Sequence, residues 1–296
     1  MTPELSVVIV NYNAGEHLER CLESLGAQLG DAPWDAVVVD NASTDGSDLV
    51  VARFAPHVSL IRNADNVGFG RAVNQGMAAT TGPLALLLNP DARLLPSAFV
   101  RLRAELIAHP DCAIAGPAVI NDDGSTQGSA RGDPNMLTGL FGRSTWLTRL
   151  LPGTTLARRN VRVDVVPDRG EAGLDVDWVS GACMLLRRDV FVNVGGFDER
   201  FFLYWEDADL CRRIRAAGFR VRYRPDARVA HTVGRSSRTA RALAIRAFHR
   251  SAYLYYARHV ARSPWHPGRW IARVLLQARC WWLLTRAQDD DAHDQG

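Results

Sequence analysis

The first ninety residues alternate short apolar runs with segments of helical spacing, and this alternation limits the possible folds more than any other feature. The apolar runs are predicted strands, at residues 5–10, 36–39, 58–61 and 84–88. The segments between them are predicted helices, around residues 18–29, 49–54 and 72–80. Strands that are apolar on both faces and joined by helices are typical of a parallel sheet covered on both sides. The sequence therefore predicts an α/β fold with a mostly parallel central sheet.

The rest of the chain is less regular. Residues 121–173 are rich in Gly, Pro, Asp and Arg, which predicts loops with a mobile segment near residues 131–155. The remaining elements are predicted as a strand at 178–186, a helix at 206–217 ended by Gly218, a strand at 220–223 and helices from 238 onward.

Each of the four early strands is followed by a short polar stretch. These stretches are Asn11-Tyr12-Asn13, Asp40 to Gly46, Asn63 to Arg71 and Asn89-Pro90-Asp91. The carboxyl ends of parallel strands share one edge of the sheet, so the stretches should converge on one crevice, where open α/β sheets bind nucleotides. Taken singly they have simpler interpretations: Asp40 and Ser43 could form an Asx turn, and Gly68 and Gly70 could serve turns. Their joint occurrence favours a nucleotide site.

Five segments together resemble a known family. They read SVVIVNYNAGEHLERCLESL, VVVDNASTDGS, NADNVGFGRAVNQGM, LLLNPDARL and WVSGACMLLRRDVFVNVGGFDERFFLYWEDADLCRRIRAAGFRVRYRPDARVAH, in this order over roughly residues 4–235. In them the chain resembles family 2 glycosyltransferases of the GT-A fold, and most of all the bacterial rhamnosyltransferase-like branch. The resemblance implies a catalytic domain over residues 1–235, with a nucleotide-binding half at about 1–120 and an acceptor half at about 121–235.

The resemblance implies that several strand-end residues bind a sugar nucleotide. Asp40 would accept a hydrogen bond from the imide N–H of a uracil or thymine ring, and Tyr12 would lie near the base. Asn66, Gly68 and Arg71 would line the path of the ribose and diphosphate, because glycine permits a close approach and a guanidinium can pair with a phosphate. Both pyrimidines carry the same N–H, so the donor could be linked to dTDP or to UDP.

A divalent cation is implied at the end of the fourth strand. The family ends this strand on a short acidic motif whose last aspartate binds the metal. Here the motif is Asn89-Pro90-Asp91, with Asn89 in place of the first acid and beside the nucleotide. Mg²⁺ and Mn²⁺ take few protein carboxylates together with phosphate oxygens and water, so Asp91 can suffice. His231 matches the position of a second ligand in related enzymes, or it is a hydrogen-bonded histidine at a strand end.

An aromatic run followed by acids predicts a site for a sugar acceptor. The run spans Phe201 to Trp205, and the acids are Glu206, Asp207 and Asp209. Sugars pack their C–H faces on aromatic rings and donate hydroxyl hydrogens to carboxylates, although acids at a helix N-terminus also favour the helix dipole. The resemblance implies that Asp207 is the general base of a single displacement with inversion. Glu206 and Asp209 would orient the acceptor or pair with Arg212 or Arg213.

The resemblance also gives supporting roles to two glycine-containing stretches. Trp178, Ser180 and Gly181 in one stretch, and Gly195 to Asp198 in the other, would lie near the acceptor and the donor sugar. Strand packing and a tight turn are the simpler interpretation of the same residues.

The C-terminal extension, residues 236–288, is basic and partly apolar. Between Ala227 and Gln288 the chain has twelve arginines and no Asp or Glu. The apolar stretch at 270–284 is too short to span a bilayer, so we predict a helix lying on an anionic membrane surface. Packing on the catalytic domain, or on a second subunit in a homodimer, is the alternative. Nucleic acid is not an expected partner because no nucleic-acid motif accompanies the arginines, and residues 289–296 are predicted to be a disordered tail.

Cysteine use and the N-terminus bear on the compartment. The five cysteines are scattered without a CxxC pair, which disfavours disulfides and zinc and favours a reducing compartment, and the first residues do not resemble a signal peptide. With the resemblance, this predicts a cytoplasmic enzyme on the inner face of the cell membrane that moves L-rhamnose from dTDP-rhamnose onto a lipid-linked or polysaccharide acceptor in cell-envelope glycan synthesis. The alternatives are a UDP-linked sugar donor and a non-catalytic nucleotide-sugar-binding protein.

Overall fold

The computed structural model describes residues 3–30, 32–133, 173–232 and 241–293, with side chains as far as residue 286. Within these residues the chain forms a nine-stranded mixed sheet with helices on both faces. Most of the predicted mobile segment at 131–155 lies outside the described residues.

The strands are β1 (Leu5–Asn11), β2 (Trp34–Asp40), β3 (Val58–Arg62), β4 (Leu84–Leu88), β5 (Ala92–Leu94), β6 (Cys112–Ile120), β7 (Ala130–Arg131), β8 (Leu174–Asp175), β9 (Trp178–Val179), β10 (Cys183–Arg187) and β11 (Arg220–His231). The helices are α1 (His17–Leu29), α2 (Phe69–Ala79), α3 (Ala98–Ala108), α4 (Arg188–Asn193), α5 (Glu206–Ala216), α6 (Arg241–His259) and α7 (Pro267–His293), with a 3-10 helix at Ser47–Phe54.

The sheet order brings the carboxyl ends of three early strands together. The order is β3-β2-β1-β4-β10-β6-β11-β5, with β8 also paired to β11. β1 is parallel to both β2 and β4, and its last residue, Asn11, is paired with Asp40. β10 runs antiparallel to β4, so the stretch before Cys183 returns to the same edge that β4 reaches at Leu88. Polar residues from four strands therefore meet at one edge.

The two sides of the sheet bury alternate residues of the same strands, as expected for strands apolar on both faces. On β1, Leu5, Val7 and Ile9 pack with residues of α1 and α3, while Val8 and Val10 pack with α2 and α5. Each buried aliphatic side chain contributes about 1.5–3 kcal/mol. This double coverage confirms the predicted α/β class.

Some predicted element boundaries are wrong. The strand expected at 178–186 is interrupted at residues 180–182, because the amide of Ser180 donates to Ser129 O (2.8 Å) and that of Gly181 donates to Asp207. The strand expected at 220–223 continues to His231 through two register shifts. Residues 289–293, expected to be disordered, are the last residues of α7.

The extension packs on the catalytic domain through α6. Tyr255 lies in the same core as α5, and Ser251 donates to Leu203 O at 2.9 Å. α7 in turn packs along α6, where Ala272 is buried with Tyr256. Among the described residues, none of the helices combines the length and apolarity that crossing a bilayer requires.

Candidate active site

Asp40 is held rigidly at the end of β2. The residue is 3% exposed; Oδ1 accepts from Asn11 Nδ2 (2.7 Å) and Ser43 Oγ (2.6 Å), and Oδ2 accepts from the Ser43 amide (2.9 Å). The Asx-type turn considered from the sequence is thus present. A carboxylate can accept about four hydrogen bonds, so these three bonds fix its orientation and leave acceptor capacity on Oδ2.

The turn before α2 lies against the segment that leads to the predicted base. Gly68 has φ +89°, and a Cβ there would lie 2.5 Å from Phe202 O, so only glycine fits. Its amide donates to Asn66 Oδ1 (3.0 Å), and the Phe69 amide donates to Phe202 O (2.8 Å). Arg71 is exposed on the first turn of α2, with its Nε 3.7 Å from Glu199, and its guanidinium is accessible to an anion.

Three side chains meet beyond β4 at the end of β11. His231 Nε2 is 3.0 Å from Asp91 Oδ1 and 3.3 Å from Asn89 Nδ2. The Thr232 amide donates to Asp91 O (3.1 Å), which ties the end of β11 to the loop after β4. The fold thus brings the two predicted metal ligands into contact across 140 residues of sequence.

Asp207, the predicted base, lies in the first turn of α5. Its Oδ2 accepts from the Gly181 amide (3.0 Å) and its Oδ1 accepts from the Ala208 amide (2.8 Å). Bonds from backbone amides favour a charged carboxylate and fix its orientation.

Backbone contacts join these parts at one edge of the sheet. The Asn89 amide donates to Ala182 O (2.9 Å), next to the Gly181 amide that holds Asp207. On the nucleotide side, Asn41 Nδ2 donates to Gly68 O (3.2 Å), and Asn41 directly follows Asp40. The predicted nucleotide, metal and base residues are therefore linked by short hydrogen-bonded steps.

Glu206 differs from its neighbour Asp207 because it is buried. The residue is 5% exposed, and its Oε2 has no hydrogen-bond partner among the described residues. Burial, and to a lesser degree the negative charge of Asp207, raises the pKa of Glu206 to about 8. Such a carboxyl is mostly neutral at pH 7, next to a charged base.

The predicted acceptor role of Asp209 is wrong. Its side chain is fully buried and contacts Arg213 Nε (2.8 Å), His259 Nε2 (2.7 Å) and an Arg258 nitrogen (3.2 Å). Burial alone would raise the pKa of Asp209, but the bonds from His259 and Arg213 hold it below its ordinary value. The alternative, pairing with an arginine, is what the structure shows.

The two predicted sugar-facing tryptophans also make internal contacts, although Trp205 stays half-buried. Trp178 is buried and its Nε1 donates to Gly132 O at 3.1 Å. The Trp205 ring packs against Tyr255 and Phe248 of α6, at centroid distances of 5.4 and 5.8 Å. The aromatic run thus docks α6 rather than forming an open wall. Tyr12 and Ser180 are half-buried near their predicted places at the sheet edge.

Two side chains that hold site residues in place, Asn11 and Gln127, were given no individual role from the sequence. Asn11 holds Asp40 and also donates to Ser43 Oγ (3.1 Å) and Ser47 Oγ (2.9 Å). Gln127 contacts the imidazole of His231 at 3.0 Å. An asparagine ending a buried strand is a visible signal for Asn11, whereas nothing in the loop sequence marks Gln127.

The sequence matches two family models. One, described as glycosyl transferase family 2, covers residues 6–194, and one described as the N-terminal domain of galactosyltransferase covers residues 171–235. A curated relative, N-acetylglucosaminyl-diphospho-decaprenol L-rhamnosyltransferase of Mycobacterium tuberculosis, is 36% identical over 302 residues. The match covers 94% of this chain and 92% of the relative.

Two solved structures share the fold. A mannosyltransferase of Pyrobaculum calidifontis in complex with GDP-Man and Mn²⁺ is 18% identical, with a TM-score of 0.57, over 95% of this chain and 70% of that one. GalNAc-T7 with UDP, GalNAc and Mn²⁺ is 17% identical, with a TM-score of 0.61, over 87% of this chain and 50% of that one. These likenesses confirm the predicted GT-A fold.

Proposed function

This chain belongs to glycosyltransferase family 2, and from that premise we propose that it transfers L-rhamnose from a nucleotide-linked donor to a lipid-linked acceptor in cell-envelope glycan synthesis. It is a glycosyltransferase. The mycobacterial relative is named for rhamnose transfer to a diphospho-decaprenol acceptor, and its 36% identity extends over almost the whole of both chains. That extent supports the same donor sugar and the same acceptor class here.

The donor base lies at Asp40 in this proposal. A carboxylate with spare acceptor capacity on Oδ2 suits the imide N–H of thymine or uracil. We take dTDP-rhamnose as the donor because of the rhamnosyltransferase relative, and a UDP-linked sugar is the second candidate. Asn66, Gly68 and Arg71 would bind the ribose and diphosphate in this proposal, which is supported by the hydrogen bond from Asn41, next to Asp40, to Gly68 O.

The residues beyond β4 fit a divalent cation. Two ligands at right angles, each about 2.1 Å from a Mg²⁺ or Mn²⁺ ion, lie about 3 Å apart. Asp91 Oδ1 and His231 Nε2 are 3.0 Å apart, and two acceptor atoms this close need a proton or a cation between them. Asp91 and His231 would hold the ion, with diphosphate oxygens completing its shell. The imidazole ligand favours Mn²⁺, since Mg²⁺ prefers oxygen donors.

Asp207 carries the proton transfer. The acceptor hydroxyl attacks the anomeric carbon, its proton passes to the Asp207 carboxylate, and the bond to the diphosphate breaks, which inverts the anomeric centre. The Gly181 and Ala208 amides donate to the carboxylate and fix its orientation. A bound divalent cation would neutralise the charge that develops on the departing diphosphate.

The observation that carries this proposal is the two-residue bridge between the metal and base sites. Asn89, beside the metal ligands, is bonded to Ala182, and the adjacent Gly181 is bonded to Asp207. Single displacement requires the base and the site of the leaving group to be held close together, and this hydrogen-bonded connection holds them so.

Replacement of the base tests the function. We expect Asp207→Asn to fold and bind dTDP-rhamnose but to lose transfer by about 10²–10⁴-fold, because the amide cannot accept the proton. The measurement is transfer of rhamnose to a synthetic polyprenyl-diphosphate sugar, with dTDP binding measured separately. Asp189→Asn, the same change at an exposed position on α4, should keep full activity. Full transfer by Asp207→Asn would remove this residue from the base role.

We also propose that α7 attaches the enzyme to the inner face of the membrane. Its exposed apolar side chains are Trp270, Ile271, Val274, Leu275, Trp281 and Trp282. At 3.6 residues per turn they fall within about 140° of the helix circumference, and this set is called the apolar face. Trp270 is 71% and Trp281 69% exposed. Arginines flank the face, the acids of α7 begin only at Asp289 beyond its last member, and tryptophan with arginine suits an anionic headgroup layer.

A further inference from the structure

Gln127 makes three side-chain contacts around the end of β11. Its Nε2 donates to His231 O (2.9 Å) and to Asn121 Oδ1 (2.8 Å). Its Oε1 is 3.0 Å from His231 Nδ1. The backbone amide of Gln127 also donates to Val119 O on β6 (2.8 Å), which anchors the residue beside the sheet.

These contacts determine the orientation of the Gln127 amide. A backbone carbonyl only accepts hydrogen bonds, so the atom 2.9 Å from His231 O must be the NH₂ group. Both hydrogens of that group are then used, one for His231 O and one for Asn121 Oδ1. The atom facing the imidazole is therefore Oε1, which cannot donate.

The amide orientation in turn determines which imidazole nitrogen carries the proton. Because Gln127 Oε1 only accepts, the partner at 3.0 Å must be Nδ1–H. Nδ1 thus carries a proton whether the ring is neutral or charged, and when a cation binds, Nε2, 3.0 Å from Asp91 Oδ1, is the nitrogen that supplies the lone pair. The Asn89 NH₂ group, 3.3 Å from Nε2, is a donor and agrees with this assignment.

We propose that Gln127 is a positioning residue that holds His231 in the Nδ1–H tautomer, with Nε2 aimed at the divalent cation shared with Asp91. This inference rests on the metal site of the proposed function. Gln127 contacts His231, which would bind the metal, and would not bind the metal itself. It holds His231 at two places, the backbone carbonyl and the imidazole ring. Outer partners of this kind typically account for 10–100-fold of metal affinity.

The test is the affinity for Mn²⁺ of the full chain in the presence of dTDP, measured from the free-ion signal in electron paramagnetic resonance. We expect Gln127→Met, which keeps the length but removes the hydrogen bonds, to weaken Mn²⁺ binding by about 10–100-fold. Gln127→Glu keeps an oxygen opposite Nδ1–H and should retain more affinity than Gln127→Met. Gln277→Met, at an exposed position of α7, should leave affinity unchanged.

Which of the two Gln127 variants binds Mn²⁺ more tightly distinguishes a positioning role from a purely structural one. A glutamate sets a carboxylate oxygen against His231 O and Asn121 Oδ1, so a structural role would make Gln127→Glu the worse variant. Nitrogen NMR of histidine-labelled protein with Mg²⁺ and dTDP should show Nδ1–H for His231, identified by its loss in His231→Asn. In Gln127→Met the Nε2–H form should appear.

Two results would overturn the inference while leaving the transferase proposal intact. They are equal Mn²⁺ affinity of wild type and Gln127→Met, and an Nε2–H signal for His231 in the wild type. A wild type that binds no Mn²⁺ with dTDP would overturn the inference and the proposed metal role together, and this result is distinct from the other two.

Discussion

Glu206 shows at the scale of one residue how burial next to a charged base alters protonation. Its pKa is raised to about 8, first by burial and then by Asp207, from 4.5 when unperturbed. Because the folded state binds this proton more tightly than the unfolded state, the resulting stability is complete below about pH 4.5 and is lost as the pH rises through about 8. We expect Glu206→Gln, which cannot ionise, to gain stability relative to wild type over this range.

The measurement for Glu206→Gln is urea unfolding at several pH values between about 5 and 8, since linkage predicts that wild type loses stability relative to the variant over this range. Glu23→Gln, an exposed position on α1, is the control and should follow wild type. A Glu206→Gln curve parallel to that of wild type would show that Glu206 is charged in the folded protein.

The role of a residue could be predicted from the sequence only where its partners lie close to it in the sequence. Asp40, Asp91 and Asp207 are visible locally as acids at a strand end or a helix start, and the family resemblance supplied their predicted roles. Asp209 was misassigned because its partners, Arg258 and His259, lie some fifty residues later. Gln127 was missed for the same reason, since its partner is His231.

At the scale of elements, α6 holds the helix that carries the base. Asp209 of α5 is fully buried and bonded to His259 of α6 at 2.7 Å. Two arginines also contact Asp209, so loss of His259 should cost less than the 3–5 kcal/mol of a fully unpaired buried charge, about 1–3 kcal/mol. We expect His259→Ala to lower stability by this amount in urea unfolding, and to lower kcat because α5 also positions Asp207.

Mn²⁺ affinity distinguishes a local effect of His259→Ala on α5 from a general disruption of the fold. The metal ligands lie on β11 and after β4, so His259→Ala should bind Mn²⁺ as wild type does. Arg262→Ala, at an exposed position between α6 and α7, should behave as wild type in stability and kcat. Unchanged kcat with reduced stability would mean that α6 supports the fold but not the base.

The same scale shows why element boundaries were harder to predict than element types. The run from Trp178 to Leu186 was predicted as one strand, although Ser180 and Gly181 interrupt its apolar residues at the break between β9 and β10. The break arises from hydrogen bonds to Ser129 and Asp207, which are distant in sequence. β11 was predicted only as a short alternating strand at 220–223, whereas the structure continues it past Pro225 and Asp226 through a register shift.

At the scale of the whole molecule, the catalytic domain and the extension form one packed body with two different surfaces. The alternation of strands and helices predicted the sheet, because burial on both faces leaves a continuous apolar signal. The orientation of the extension could not be predicted from its own sequence. Tyr255 and Phe248 are directed inward by contacts with Trp205, and among the described residues the apolar face of α7 stays exposed, apart from the Arg286 guanidinium over the Trp282 ring.

The exposed apolar face of α7 predicts that the full chain binds membranes. Wild type should float with vesicles rich in anionic lipid and bind neutral vesicles less, and added salt should weaken the binding. Replacing Trp270 and Trp281 by serine should reduce partitioning by at least about tenfold, since each large side chain contributes about 1.5–3 kcal/mol when buried. Leu49→Ser, an equally exposed apolar position on the 3-10 helix, is the control. Equal flotation of wild type and the tryptophan variant would contradict membrane attachment through α7, and conversion of a dimer to a monomer by the same variant would assign the face to a second copy instead.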